Sequence, residues 1–344
     1  MAKLTHDEIE KYYKKNSPLW EAFLRKIDPL IRDLLKAKGI RPQGIFNRVK
    51  ELSSFERKCD KWNDPFTEIT DKCGIRIITY TLGDVKKVSD IIEEEFDVKE
   101  CINKLEELRP GEFGYNCTHY VVKLKAPRSK LTEYRKYADL YLEIQIPTIL
   151  QHAWAEIEHD LNYKSASEPP KEIQRSLSRV AAVLELTDKE FGLIVNNIEK
   201  YKQQVKLDIQ DKKEVEINSL SIMEYMNGKF DMTEISKSFR GHDTIILDEL
   251  ENFGIKTISQ LDAIITEKFT DTLKETAMYY NRSYLGILRE AMMVSDLEKY
   301  FAKSWRGGWN GLIPPKDKFL TKMGVNITRI NEIITENEAL KQNR

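Results

Sequence analysis

Two acidic residues occupy positions from which a carboxylate could hold a metal ion or accept a proton. In LYLEIQI, residues 140–146, the Leu and Ile side chains share one face of a predicted strand, while Glu143 and Gln145 share the other. Asp71 stands just before a second β-rich stretch, GIRIITYTL at 74–82. Carboxylates at the mouths of two strands could share Mg²⁺, a hard cation that prefers oxygen ligands and accompanies phosphate substrates. The alternatives are a half-exposed strand whose polar face meets solvent, and an Asp71 that only caps a turn.

A group of cations lies in FNRVKELSSFERKCDKW, residues 46–62, which we predict to be a basic helix. Within eleven residues this segment contains Arg48, Lys50, Arg57 and Lys58. Charge-assisted hydrogen bonds from such a cluster could hold a triphosphate. The alternative is an ordinary solvated helix face.

The segment EFGYNCTHY, residues 112–120, could contribute a base-binding surface. Gly114 precedes Tyr115, and His119 opens a predicted strand over 119–125. A Tyr ring beside a glycine-containing turn can act as a stacking platform for an unstacked base. The alternative is a Tyr that packs into the core from a loop.

The elements that must position these residues begin with a long helix over 5–38. Thr5 and Glu8 form a capping-box pattern at its start, and Pro18 and Pro29 predict a break or kink. Strands and helices then alternate irregularly up to about residue 164, which indicates an α+β or α/β layer.

From about residue 171 onward the periodicity is mostly helical, and a last helix is predicted over 318–340. The predicted organisation is an N-terminal helical segment at 1–40, a mixed domain with a helical extension at 41–206, and a helical C-terminal domain at 207–344.

Composition excludes several classes of protein. The 344 residues carry a formal net charge of −1, so binding to polyanions requires a local patch. The four cysteines include no C-x-x-C pair, which argues against a zinc site and a disulfide framework. The charged N-terminus lacks an apolar signal core, and no run approaches the roughly 18 apolar residues of a membrane span. We therefore expect a cytoplasmic protein without membrane association.

Four segments, in order, resemble the synthetase domain of the RelA/SpoT family, the pyrophosphokinases that make guanosine tetra- and pentaphosphate. The segments are NRVKELSSFERK, TDKCGIRII, GYNCTH and EIQIPTILQHAWAEIEHDLNYK. The resemblance covers roughly residues 40–165, and the helix over 171–206 resembles the extension of small stand-alone members. It implies a mixed-sheet, nucleotidyltransferase-like core flanked by helices.

The resemblance also implies roles for individual residues. Asp71 and Glu143 match the Mg²⁺ ligands, and Glu143 matches the acid that activates the attacking hydroxyl. Arg48, Lys50 and Lys58 fall in the segment that binds the phosphates of ATP, and Arg76 matches an arginine near its base. The residues implied to bind the acceptor nucleotide are Tyr115, His119, Gln145, His152 and Lys164. A metal site at His152, Glu156 and His159 is an alternative to a polar wall of the nucleotide cleft.

The implied reaction transfers pyrophosphate from ATP to the 3′-hydroxyl of GDP or GTP. Two departures leave the acceptor open, because Pro147 replaces the family's usual Arg and Cys117 its usual Ser. One alternative is a toxin-like synthetase that modifies tRNA 3′ ends or adenosine nucleotides and is restrained by its C-terminal region. In that case a run of basic residues beside the site could bind tRNA, and the other interpretation of the run is a solvated loop. The run contains Lys123, Lys125, Arg128, Lys130, Arg135 and Lys136. Another alternative is a degenerate nucleotide-binding sensor, and the chain could form a homo-oligomer.

Overall fold

The computed structural model describes residues 4–103, 117–164, 170–230, 243–277, 283–305 and 316–342. The chain divides into two compact units, Met1–Val195 and Asn196–Arg344. The first contains a mixed sheet with flanking helices and the second is mostly helical, so the predicted α+β class is confirmed. The domain boundary near residue 206 stays a prediction.

A five-stranded sheet forms the centre of the first unit. Its strands are β1 (Gly44–Val49), β2 (Cys73–Ile78), β3 (Phe96–Asn103), β4 (Thr118–Leu124) and β5 (Leu142–Ile146). They are ordered β1-β2-β5-β4-β3, and β2 pairs with β5 in parallel while the other neighbours are antiparallel. The strand that carries Glu143 is therefore central.

The helices of this unit are α1 (His6–Ala37), α2 (Leu52–Cys59), α3 (Pro65–Glu68), α4 (Leu82–Glu95), α5 (Ala126–Ser129), α6 (Ile149–Lys164) and the first part of α7 (Lys171–Gln210). Thr5 and Glu8 form the predicted capping box of α1. The predicted break is wrong, because α1 continues through Pro18 and Pro29. Each proline costs about 3 kcal/mol in a helix interior. Several buried side chains on one face offset this, at about 1.5–3 kcal/mol each: Trp20, Phe23, Ile27, Ile31 and Leu35.

Alternation along β2 and β5 gives the sheet one apolar and one polar face. Leu142, Ile144 and Ile146 are fully buried in a core shared with α1 and α4, and Glu143 and Gln145 point the other way. The predicted two faces of this strand are confirmed. The polar face is thus free to carry a site.

Two elements differ from the sequence prediction. The basic helix predicted over 46–62 is wrong in its first part, because β1 runs to Val49 and α2 begins only at Leu52. Hydrogen bonding of β1 to β2, with Arg48 opposite Gly74, decides the local structure there. The strand β3 was not predicted; it is a charged edge strand with an irregular register between Val98 and Glu100.

The second unit contains the end of α7, then α8 (Ser219–Lys229), α9 (Asp243–Phe253), α10 (Ile258–Ile264), α11 (Glu267–Ala277), α12 (Tyr284–Ser295), α13 (Leu297–Lys299), a π-helical turn (Tyr300–Ser304), α14 (Lys316–Lys322) and α15 (Ile327–Gln342). The last predicted helix is in fact two, because Gly324 adopts φ +86° between them. Within the described residues, no helix is long and apolar enough to cross a membrane.

Candidate active site

The polar face of the sheet carries a cleft of about 370 Å³, lined by residues of β1, β2, β5 and α6. A concave site of this size lies in the usual range for small-molecule pockets. Five of the predicted site residues are among its lining residues: Arg48, Arg76, Glu143, Gln145 and His152.

Gly74 lets the two parallel strands of the cleft approach closely. Gly74 lies opposite Glu143, and Arg76 lies opposite Gln145. A Cβ at position 74 would stand 3.3 Å from the main-chain oxygen of Glu143 and 3.7 Å from its Oε2. The first of these contacts is tighter than most that real Cβ atoms make. Glycine at position 74 therefore allows the main chain and the carboxylate of Glu143 to lie this close to β2.

The Glu143 carboxylate is held through both of its oxygens. Its Oε1 lies 3.3 Å from Nδ1 of His119 on β4, and its Oε2 accepts a hydrogen bond of 3.2 Å from Gln145. Burial acts to raise the pKa of Glu143, but the hydrogen bond and charge of His119 outweigh it and lower that pKa. Glu143 is thus an ionised carboxylate at neutral pH.

The partner imidazole is shifted in the opposite direction. Burial acts to lower the pKa of His119, but hydrogen bonds with Cys117 and Glu143 raise it to about 9. His119 is therefore protonated at neutral pH and forms an ion pair with Glu143. This pair fixes the carboxylate on the polar face of the sheet.

Two ammonium groups hold Asp71, which precedes β2. The Nζ atoms of Lys50 and Lys58 lie 2.8 Å and 2.5 Å from its Oδ2. Burial opposes ionisation of Asp71, but the hydrogen bonds from both lysines outweigh it and lower the pKa of Asp71. The negative charge of Asp71 also acts to raise the pKa of Glu143, against the stronger effect of His119. The two acids, far apart in the chain, therefore interact electrostatically.

The Arg76 guanidinium connects β5 with α6. Its Nε donates to Oε1 of Gln145 at 3.0 Å, and its Nη1 donates to Oε1 of Glu156 at 2.6 Å. The same Nη1 lies 3.3 Å from Nδ1 of His152. Burial and the charge of Arg76 lower the pKa of His152, so this imidazole is neutral and can accept a hydrogen bond.

This network supports the polar wall rather than a metal site at His152, Glu156 and His159. Within the described part of the chain, no group of three or more His, Cys, Asp or Glu side chains is placed to hold a metal ion. Glu156 instead has Arg76 as its partner.

Phe46 is a lining residue that the sequence prediction missed. Its side chain is 56% exposed, and its ring lies 6.5 Å from the His152 ring at an angle of 25°. The helix predicted over 46–62 concealed it, and GIFNRV at 44–49 shows no alternation of apolar and polar residues that would have indicated a strand.

The remaining predicted residues have different outcomes. Tyr115 and the side chain of Lys164 lie outside the described residues. Pro147 forms part of the connection from β5 to α6, where its carbonyl accepts hydrogen bonds from N and Oγ1 of Thr79 at 2.9 Å and 3.2 Å. These hydrogen bonds use the main-chain carbonyl, so they do not depend on the type of residue at position 147.

Comparisons with known proteins show which proteins this chain is similar to. Residues 47–168 match the model of a region found in RelA / SpoT proteins. GTP pyrophosphokinase YjbM of Bacillus subtilis is 27% identical over 197 residues, which cover 52% of this chain and 90% of that protein. GTP pyrophosphokinase YwaC of the same organism is 28% identical over 152 residues, covering 42% of this chain and 69% of that protein. The resemblance noted in the sequence is confirmed.

Solved structures of similar proteins cover about the same share of the chain. Small alarmone synthetase 2 of Bacillus subtilis aligns with a TM-score of 0.47 and 22% identity, over 54% of this chain and 98% of that one. A GTP pyrophosphokinase family protein of Streptococcus pneumoniae aligns with a TM-score of 0.44 and 24% identity, over 56% and 95%.

Proposed function

We propose, from the RelA/SpoT region that residues 47–168 form, that this chain is an ATP-dependent pyrophosphokinase. It transfers the β,γ-pyrophosphate of ATP to the 3′-hydroxyl of GDP or GTP. The relatives' names, as GTP pyrophosphokinases, support this acceptor. The observation that carries the proposal is the Glu143 carboxylate on the cleft lining, held by His119 and Gln145, with Asp71 and its two lysines at the start of the neighbouring strand β2.

We propose Mg²⁺ as the cofactor, held by Asp71 and Glu143. Mg²⁺ is usually bound by one or two carboxylates together with substrate phosphates, and two ionised acids fit that requirement. When bound, it would neutralise charge that develops on the phosphate oxygens.

In the proposed mechanism, Glu143 accepts the proton of the attacking 3′-hydroxyl, which forms its new bond to the β-phosphorus while AMP leaves. The ionised state of Glu143 suits it to this role, and the His119 ion pair holds Oε1 in place. Arg48, Lys50 and Lys58 bind the phosphates by charge-assisted hydrogen bonds. Positioning and charge stabilisation of this kind account for most of the catalysis in phosphoryl transfer.

We propose that Arg76 contacts the base of ATP and that His152 contacts the acceptor nucleotide. Gln145 is proposed to link the two sides through its hydrogen bond with Arg76. Tyr115 is proposed to stack on the acceptor guanine. Lys164 is proposed to border the acceptor.

The acceptor is the finer point to test, and the basic run offers limited support for tRNA. Lys125 donates to the carbonyl oxygens of Glu93 and Glu94, and Arg128 pairs with Glu95 at 2.6 Å. These two cations are therefore engaged within the protein, which favours a free guanine nucleotide over a polyanion.

The direct test is incubation with γ-labelled ATP and Mg²⁺, separately with GDP, GTP, unlabelled ATP and bulk tRNA. Label in a guanosine product is expected, and Glu143→Gln should abolish it. Glu158→Gln, on α6 outside the cleft lining, serves as the matched control and should retain activity. Label only in tRNA or an adenosine product would refute the guanine acceptor, and nucleotide binding without transfer would refute the enzyme.

We also propose that the chain forms a homo-oligomer through α7. Five apolar residues and one threonine recur along it at alternating spacings of three and four: Leu177, Val180, Leu184, Thr187, Phe191 and Ile194. Leu177 and Leu184 pack against Trp154, but Phe191 and Ile194 are 47% and 51% exposed. A seven-residue repeat of this kind favours pairing with a helix of the same period, as a second copy would supply.

Sedimentation analysis tests this self-association. Ile194→Glu should shift the protein to a smaller species. Leu186→Glu, the same type of change outside the repeat, should not. A monomeric wild-type chain at micromolar concentration would contradict the proposal.

A further inference from the structure

The second unit contains a larger cleft, of about 660 Å³, formed by the end of α7, α8 and α10. We propose that this cleft binds a small phosphorylated molecule that also has an apolar or aromatic part. The proposal concerns a second site and does not depend on the pyrophosphokinase reaction. The volume of the cleft is within the range of pockets that enclose drug-sized ligands.

The first observation is an excess of positive charge. Four lysines line the cleft: Lys206, Lys212, Lys213 and Lys229. Lys213 forms ion pairs with Asp208 at 3.2 Å and with Asp211 at 3.0 Å. Lys229 forms an ion pair with Asp262 at 2.7 Å. For Lys206 and Lys212, no ion pair with another described residue is formed. One further acid, Glu224, lines the cleft, so the lining has four lysines against two acids. The remaining positive charge matches a phosphoryl group.

The second observation is the backbone of Lys212, which has φ +56° just beyond the end of α7. Glycine normally occupies such a position, and a residue with a side chain there costs roughly 1–2 kcal/mol. The bonds from Lys212 N to Ile209 O and from Lys213 N to Asp208 O, at 3.1 Å and 2.8 Å, close the helix and would form equally with glycine. The strained lysine is therefore explained better by its ammonium group than by the fold.

The third observation is a wall of the cleft that hydrogen bonds hold in place. Asp262 accepts hydrogen bonds from the Tyr225 hydroxyl at 2.6 Å and from Lys229 at 2.7 Å. Its negative charge is thus compensated within the wall and does not oppose an anion. Ile209 and Ile258 add apolar surface to the lining. The cleft therefore accommodates a ligand whose anionic group lies against Lys206 and Lys212. The apolar part of that ligand would lie against Ile209 and Ile258.

Lysine acylation followed by mass spectrometry of the full chain tests this proposal. The probes are ATP, GTP and inorganic tripolyphosphate. Because acylation follows the fraction of free sites, Lys206 and Lys212 should react about tenfold more slowly at a nucleotide concentration about ten times Kd. Lys200, exposed on the same helix outside the cleft, is the control and should not change. Lys58 reports separately on the candidate active site, so failure at one site is distinguishable from failure at the other.

Lys212→Gly provides the decisive variant. It removes the ammonium group and the backbone strain together, so its melting temperature should equal or exceed that of the wild type. Protection of Lys206 should nevertheless be lost, while protection of Lys58 persists. Unchanged acylation of Lys206 and Lys212 with all three probes would overturn the proposal. Protection by tripolyphosphate as strong as by the nucleotides would refute the role of the apolar wall.

Discussion

Replacing Gly74 by Ala should reduce pyrophosphate transfer with little effect on folding. The added Cβ would lie 3.3 Å from the main-chain oxygen of Glu143, so β5 must give way by a few tenths of an ångström. Because a shift of 1 Å in a catalytic group can cost about 100-fold, a shift of a few tenths of an ångström should reduce transfer roughly 3- to 10-fold. An alanine in a strand gains about 0.5–1 kcal/mol over glycine, which offsets strain of similar size.

The assay is the initial rate of AMP release from ATP with GDP or GTP, together with the melting temperature. Gly83→Ala is the matched control, since its Cβ would meet only Thr81 Oγ1, at an ordinary 3.6 Å. Wild-type rates in Gly74→Ala would refute the reasoning. So would an equal loss in Gly83→Ala, or a large fall in melting temperature that explains the loss by unfolding.

Three further predictions concern charge in the site. Because the pKa of His119 rises from 6.5 to about 9 on folding, its pairing with Glu143 stabilises the fold fully below pH 6.5 and is lost towards pH 9; unfolding titrations of His119→Asn should lack this loss. Asp71→Asn should reduce transfer by about 100-fold or more and weaken its dependence on Mg²⁺, measured by AMP release across Mg²⁺ concentrations; undiminished transfer would contradict its role. Arg76→Gln should raise the pKa of His152, followed by NMR titration, and should raise KM for ATP more than it lowers kcat.

The site acids could be predicted from sequence because their chemistry and local pattern coincide. Glu143 alternates with fully buried residues on a short apolar strand, and only one side of such a strand can be polar. Asp71 precedes a strand of the same kind. The positions of both acids relative to their strands could be predicted without knowledge of the sheet order, and their roles stay a prediction.

Interactions that depend on register could not be predicted in the same way. The contact of Lys50 with Asp71 follows from the pairing of β1 with β2, and the assignment of β1 as a helix hid that pairing. The bond from Arg76 to Glu156 spans 80 residues and depends on where α6 lies against the sheet. Local periodicity contains no information about either.

The parallel pairing of β2 with β5 has a consequence for how activity is acquired during folding. It joins Gly74 to Glu143 across the intervening strands β3 and β4, so the chain must close a long loop before Glu143 reaches its place in the cleft. Contacts so distant in sequence are slow to form compared with helical turns. On refolding from denaturant, helical circular dichroism should therefore recover before enzymatic turnover does.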